Sequence, residues 1–153
     1  MNSRSFQPHV TVAAIVENQG RFLLVREWID GHEQINNPAG HLEESETPAA
    51  AAARECFEET GYRFLPESSG GIYLWRAPRS GETFVRINFI GMVSDYVPNA
   101  RLDKGIIAPI WLSLEETIAR ESMLRSPLVL RSLRDHRAGT RFPLNVITSL
   151  LEP

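Results

Sequence analysis

Residues 40–62 read GHLEESETPAAAAARECFEETGY. Thr47 is suited to an N-cap, and proline is tolerated at the first helical position that follows it. Ala49 to Ala53 have the highest helix propensity of any residue type. Gly61 is placed to end the helix. The stretch therefore predicts a helix over 48–60. At about 100° per residue, Glu59 lies about 40° to one side of Glu55 and Glu58 about 60° to the other. The three carboxylates share a face, and Ala49, Ala52, Ala53 and Cys56 form an apolar stripe roughly a quarter turn away. Such a helix packs closely on a sheet through alanines and presents three carboxylates at the edge of the contact. Carboxylates on adjacent turns repel, and Arg54, four residues before Glu58, offsets only part of the charge. A hard cation such as Mg2+, which favours carboxylate oxygens and bridges to phosphate, would relieve the rest. Taken alone, an acidic helix face is ordinarily just solvated.

Spacing changes its weight. Gly40, five residues, Glu46, seven residues and Arg54-Glu55-Cys56-Phe57-Glu58-Glu59-Thr60-Gly61-Tyr62 resemble the signature box of the Nudix hydrolases, with Cys56 and Tyr62 as mild departures at its two apolar positions. His9-Val10-Thr11-Val12, Pro38 to Glu43, Ala51 to Glu55 and Leu124 to Val129 are similar to bacterial phosphatases of that family along most of the chain. The resemblance implies an α/β protein with the Nudix fold, an α/β/α sandwich around a mixed β-sheet. It implies hydrolysis of small-molecule phosphate anhydrides: nucleoside tri- and diphosphates, and thiamine-pathway pyrophosphates such as hydroxymethylpyrimidine diphosphate. It also implies Mg2+ as cofactor, with Mn2+ as a substitute. Glu55, Glu58 and Glu59 are then the expected metal ligands, with the Gly40 carbonyl as a further one. Glu46 would support the loop or hold an outer-sphere water, and Arg54 would orient a catalytic carboxylate.

A carboxylate is expected to act as general base. Many relatives carry it on a loop before a tryptophan-bearing strand. Here Ile106 and Ile107 stand in that place ahead of Trp111, and Asp103 is the nearest acid. The base is therefore expected on the helix, at Glu58 or Glu59. For substrate contacts, Arg26 and Arg86 are charged residues within strands, and His41 follows the loop glycine. Trp28, Trp75 and Phe84 can stack on a ring, although core packing is the ordinary role of each. Cys56 lies on the buried stripe and is expected to be an inert core thiol. The competing expectations are a Nudix-fold sensor that binds nucleotide without cleaving it, and a nucleotide-sugar or dinucleotide hydrolase.

The 153 residues suit one domain, residues 1–153, and a net charge of −3 disfavours a nucleic-acid or membrane-surface partner. With one cysteine no internal disulfide forms, which favours a reducing compartment. The polar residues 1–8 lack the apolar core of a leader and no run approaches the about 18 apolar residues of a membrane span. A cytoplasmic protein is expected, monomer or homodimer. Outward from the helix, residues 10–16 and 21–26 read as a strand hairpin about Asn18-Gln19-Gly20. Residues 28–37 read as a polar loop, and Pro38-Ala39-Gly40 as a break. Residues 71–77, 83–93 and 106–112 read as strands. Helices are expected over 113–123, with Ser113 and Glu116 as a capping box, and over 126–136.

Overall fold

A computed structural model describes residues 5–151. Part of the polar N-terminal stretch, residues 1–4, lies outside the described residues, as do residues 152 and 153. Apolar alternation builds two sheets. Strands β1 (His9–Ile15), β5 (Ala39–His41), β6 (Arg63–Arg76) and β7 (Thr83–Ser94) form the first, in the order β5-β1-β7-β6. It is mixed: β1 runs parallel to β7 and antiparallel to β5, and β6 is antiparallel to β7. A parallel pair needs a long crossover, and the intervening chain supplies it with part of the second sheet and helix α1 (Pro48–Thr60). In the second sheet β3 (Arg21–Ile29) pairs antiparallel with β2 (Glu17–Asn18), β4 (His32–Asn36) and β8 (Ile106–Ser113).

Faces follow from the period of two along each strand. Val12, Ala14, Leu23, Ile87 and Phe89 pack with Ala51, Ala52 and Cys56 of α1. Ile15, Phe22, Leu24 and Ile90 pack on the other side with Val129 and Leu133 of α3 (Leu128–Arg137). The layers are helix, sheet, helix. No helix among the described residues is long and apolar enough to cross a membrane.

Several elements differ from the sequence expectation. Residues 10–16 and 21–26 do not form one hairpin. The chain changes sheets at Val16, so only Glu17 and Asn18 pair with β3, while the Leu23 N–H donates to the Val16 carbonyl at 3.0 Å and stitches the sheets together. The expected loop over 28–37 is a hairpin turning at Asp30-Gly31, whose φ of 50° and 83° are those of a type I′ turn. Its strand β4 is polar because one of its faces meets solvent. The expected break at 38–40 overlaps the edge strand β5. Strand β6 begins at Arg63, well before residue 71, and absorbs Pro66 and Gly71 through register shifts at Pro66/Ser68 and Ser69/Gly71. The helix expected to reach residue 123 stops early as α2 (Leu114–Ile118), followed by a 3-10 turn at Glu121–Met123. Its capping box is present. Only Thr117 of α2 is buried, and a short helix without an apolar face has little to prolong it.

Candidate functional site

Helix α1 runs over 48–60, and both of its ends are capped as expected. The Thr47 side chain accepts from the Ala50 N–H, and Gly61 is left-handed at φ 76° and donates to Phe57 O. The buried face is centred closer to the acids than the wheel suggested. Ala51, Ala52 and Cys56 are fully enclosed, and Glu55 and Glu59 are themselves 8% and 6% exposed. Only Glu58 sits at the edge, with its side chain 37% exposed. Cys56 is buried and burial pushes its thiol up to about 12, so it is an inert core thiol.

Arg54 ties the loop to the helix. Its Nε and Nη2 donate to the two Glu46 oxygens at 3.0 and 2.7 Å. Nη1 donates to Glu55 at 2.8 Å and Glu58 at 3.0 Å, and Nη2 also donates to the His41 carbonyl at 3.1 Å. Glu46 further accepts from the Glu43 N–H at 2.9 Å, and the guanidinium beside it holds its carboxyl below the usual range. Glu46 thus links the Glu43 backbone to the Arg54 guanidinium.

Glu55, Glu58 and Asp103 each bring a carboxylate oxygen within 4.8 Å of the others. An all-oxygen, anionic donor set fits a hard divalent cation. The loop bearing Asp103 is fixed to α1, because the Asp103 N–H donates to the Glu58 carbonyl at 2.9 Å. Gly40 is needed on this surface: a Cβ there would overlap the Glu55 carboxylate. Gly40→Ala is therefore expected to displace Glu55 and weaken divalent-cation affinity by about tenfold or more. Calorimetric titration of Mg2+ checks this, and unchanged affinity would refute the contact's role.

Beside the cluster is a chamber of about 200 Å3, lined among others by Gly40, His41, Glu59, Trp75 and Arg86. It shares Trp75, Phe84 and Arg125 with a broad groove of about 1070 Å3. Glu59 accepts from the Ala39 N–H at 3.1 Å. Burial pushes its carboxyl up to about 9, and the charges of Glu27, Glu55 and Asp103 push the same way. Burial raises Glu55 as well. Arg86 is 8% exposed, and its Nε and Nη1 have no hydrogen-bond partner among the described residues. Burial and then the Arg125 charge bring it down to about 10, still protonated at neutral pH. Rings form a row along the wall: His41 edge-on to His9 at 5.4 Å, His9 stacked on Phe84 at 5.0 Å, and Phe84 stacked on Trp75 at 5.7 Å.

The structure thus brings Gly40, His41, Glu59, Trp75 and Arg86 to one chamber, adjoining Glu55 and Glu58. It does not bring Arg26 there. Arg26 forms a two-point pair with Glu33 at 2.6 and 3.0 Å on the β3–β4 hairpin, and Trp28 is 57% exposed. The buried neighbour Glu27 lines the chamber instead. A charged residue in an apolar strand was the right signal; strand alternation placed the next residue, not Arg26, at the cleft. Arg125, bonded to Glu27 at 3.0 Å, and Asp103, in the carboxylate cluster, lie outside the residues that local sequence pattern marks.

Residues 6–131 match the NUDIX domain family. The chain is 44% identical over 142 residues to the phosphatase NudJ of Escherichia coli strain K12, covering 93% of this chain and 92% of that one. A NUDIX hydrolase structure from Nitrosomonas europaea superposes with a TM-score of 0.94 at 41% identity, over 96% of this chain and 100% of that one. A MutT protein structure from Methanosarcina mazei gives a TM-score of 0.69 at 26% identity, over 90% and 99% of the two chains.

Proposed function

The chain belongs to the NUDIX family, and from that premise we propose that it is a Mg2+-dependent phosphatase of nucleoside tri- and diphosphates that also accepts thiamine-pathway pyrophosphates such as hydroxymethylpyrimidine diphosphate. It is a hydrolase acting on phosphorus anhydrides of small molecules. One observation carries the finer proposal: a carboxylate cluster fit for a divalent cation adjoins a chamber lined by a buried arginine whose Nε and Nη1 have no hydrogen-bond partner among the described residues. The name of the E. coli relative, a phosphatase, supports the same reading.

In this proposal Glu55, Glu58 and Glu59 would hold the ion, and the Gly40 carbonyl and Asp103 would offer further oxygen donors. Bound there, a divalent ion supplies Lewis acidity to the phosphate oxygens and to the attacking water. Arg54 keeps Glu55 and Glu58 aimed through charge-assisted bonds, and Glu46 fixes Arg54 from the loop side. Arg86 binds a phosphoryl group opposite the carboxylates. Trp75 and Phe84 flank the organic part of the substrate where the chamber opens into the groove. Water would form a new P–O bond as the anhydride P–O bond breaks, the leaving group would depart with that electron pair, and the water proton would pass to Glu58 or Glu59 in its deprotonated form; of the two, Glu59 lines the chamber.

Assay of a nucleotide and pyrimidine-diphosphate panel with Mg2+, with product identification, tests the proposal. Orthophosphate release from nucleoside di- and triphosphates is expected. Tight nucleotide binding with no turnover of any diphosphate would replace the enzyme with a sensor.

The raised carboxyls give a pH signature. A group whose pKa rises from 4.5 to about 9 on folding binds more protons folded than unfolded. Its stabilisation is complete below the unfolded value and is lost as pH rises through about 9. Cation binding needs the deprotonated form, so its stabilisation grows across the same window. The Mg2+-induced rise in Tm is expected to be larger at about pH 8.5 than at about pH 6. Equal rises at the two values would contradict the buried-carboxylate site.

A further inference from the structure

Arg86 is more than nine-tenths buried, yet its Nε and Nη1 make no hydrogen bond among the described residues. Thr11, its register partner on β1, has an unpartnered buried Oγ1. Buried donors are seldom left without partners, and an ordered water, an ion or a ligand meets those that the protein does not. A second guanidinium lines the same space. Arg125 is anchored by its own N–H to the Ile35 carbonyl at 2.9 Å, and its Nη1 donates to Glu27 Oε2 at 3.0 Å. Glu27 is 5% exposed and lines the chamber too. Arg125 stays 43% exposed in its side chain and also borders the groove. Two guanidinium side chains and a threonine therefore line one small space, together with two carboxyl groups, Glu27 and Glu59, that offset part of the charge.

We infer that the chamber is a seat for a single phosphoryl group, clamped by Arg86, Arg125 and Thr11, and that Glu27 is an internal counter-ion that holds Arg125 while the seat is empty and yields it to phosphate. Resting on the function proposed above, the occupant is the substrate's own phosphoryl group. The chamber's roughly 200 Å3 falls below the about 300 Å3 at which small-molecule pockets begin, so the organic remainder must extend past Trp75 and Phe84 into the groove.

A counter-ion and a structural salt bridge differ in sign. If the pair merely braces the fold, removing either partner harms the site equally. If Glu27 competes with phosphate for Arg125, Glu27→Gln removes a charge that opposes the anion, and Arg125→Gln removes one that attracts it. The experiment is calorimetric titration of inorganic orthophosphate into the chelator-treated full chain, paired with orthophosphate inhibition of diphosphate hydrolysis in Mg2+. Arg125→Gln is expected to weaken orthophosphate binding about tenfold or more, since bonds to charged groups are the stronger class. Glu27→Gln is expected to tighten it several-fold, and orthophosphate is expected to compete with substrate. Arg125→Lys, which keeps the charge and loses the fork, should fall between wild type and Arg125→Gln; it serves if the glutamine variant does not fold. Changes of the same sign in both variants, or inhibition that substrate does not relieve, would overturn the seat while leaving hydrolysis in place. Opposite-signed binding changes without hydrolysis of any diphosphate would uphold the seat and remove the proposed function.

Discussion

Glu58→Gln is expected to lower kcat for nucleoside diphosphate hydrolysis by about a thousandfold, within the range typical of losing an essential acid–base or ligand carboxylate. Glu58 belongs to the carboxylate cluster with Glu55 and Asp103, and its carboxamide replacement keeps the shape and loses the charge. The fold should not suffer. The Glu58 side chain is 37% exposed and its side-chain partner is Arg54, which retains Glu46 and Glu55. Removing one of several mutually repelling acids relieves the cation-free protein, so Tm without metal should hold or rise. Steady-state kinetics alongside thermal melts decide the matter. Near-normal Mg2+-dependent turnover in this variant would sink the ligand assignment.

Arg54→Ala should damage stability and activity together. The guanidinium is the shared partner of Glu46, Glu55 and Glu58 and also binds the His41 carbonyl. With it gone, Glu55 remains as a buried acid without a counter-charge, and the loop over 41–46 loses its tie to the helix. Breaking a fully buried ion pair from one side costs about 3–5 kcal/mol; the Arg54 side chain is 23% exposed, so the expected loss is about 1–3 kcal/mol, still a sizeable part of the about 5–15 kcal/mol that holds a domain together. Lysine cannot reproduce a fork that bonds several acids at once, so Arg54→Lys should recover part of the stability and less of the turnover. Denaturant unfolding without metal measures the first quantity, and kcat the second. A loss under about 1 kcal/mol, the value of an exposed pair, would show that the network only decorates the surface.

How far the sequence reached depended on whether the deciding interactions were local. Helix α1 was legible to the residue because Thr47, Pro48, the alanine run and Gly61 all act within a turn of their own positions. The capping box at Ser113 and Glu116 was legible for the same reason. Polar strands were not. Residues 32–36 carry little apolar signal, and Asp30-Gly31 was the turn cue that polarity concealed. Strand β6 was cut short by Pro66 and the Gly70-Gly71 pair, which the sheet absorbs as irregularities. In the candidate site, the helical spacing placed Glu55, Glu58 and Glu59 together on α1, but the register of a strand decides which side of the sheet a charge reaches. One position separates Arg26, paired with Glu33 on a hairpin, from Glu27, buried at the chamber. Asp103 and Arg125 reach the site across distances in sequence that no local pattern reports.

Hydrolysis is proposed to depend on a divalent cation held by carboxylates gathered around one face of α1. The most direct test is the initial rate of nucleoside diphosphate hydrolysis as a function of Mg2+ concentration, for the wild-type chain and for Glu55→Gln. The wild-type rate should saturate with Mg2+ and vanish under chelation, and Glu55→Gln should need about tenfold more Mg2+ or more to reach half its maximum. Hydrolysis that persists at full rate under chelation, or an unchanged Mg2+ requirement in the variant, would contradict the claim.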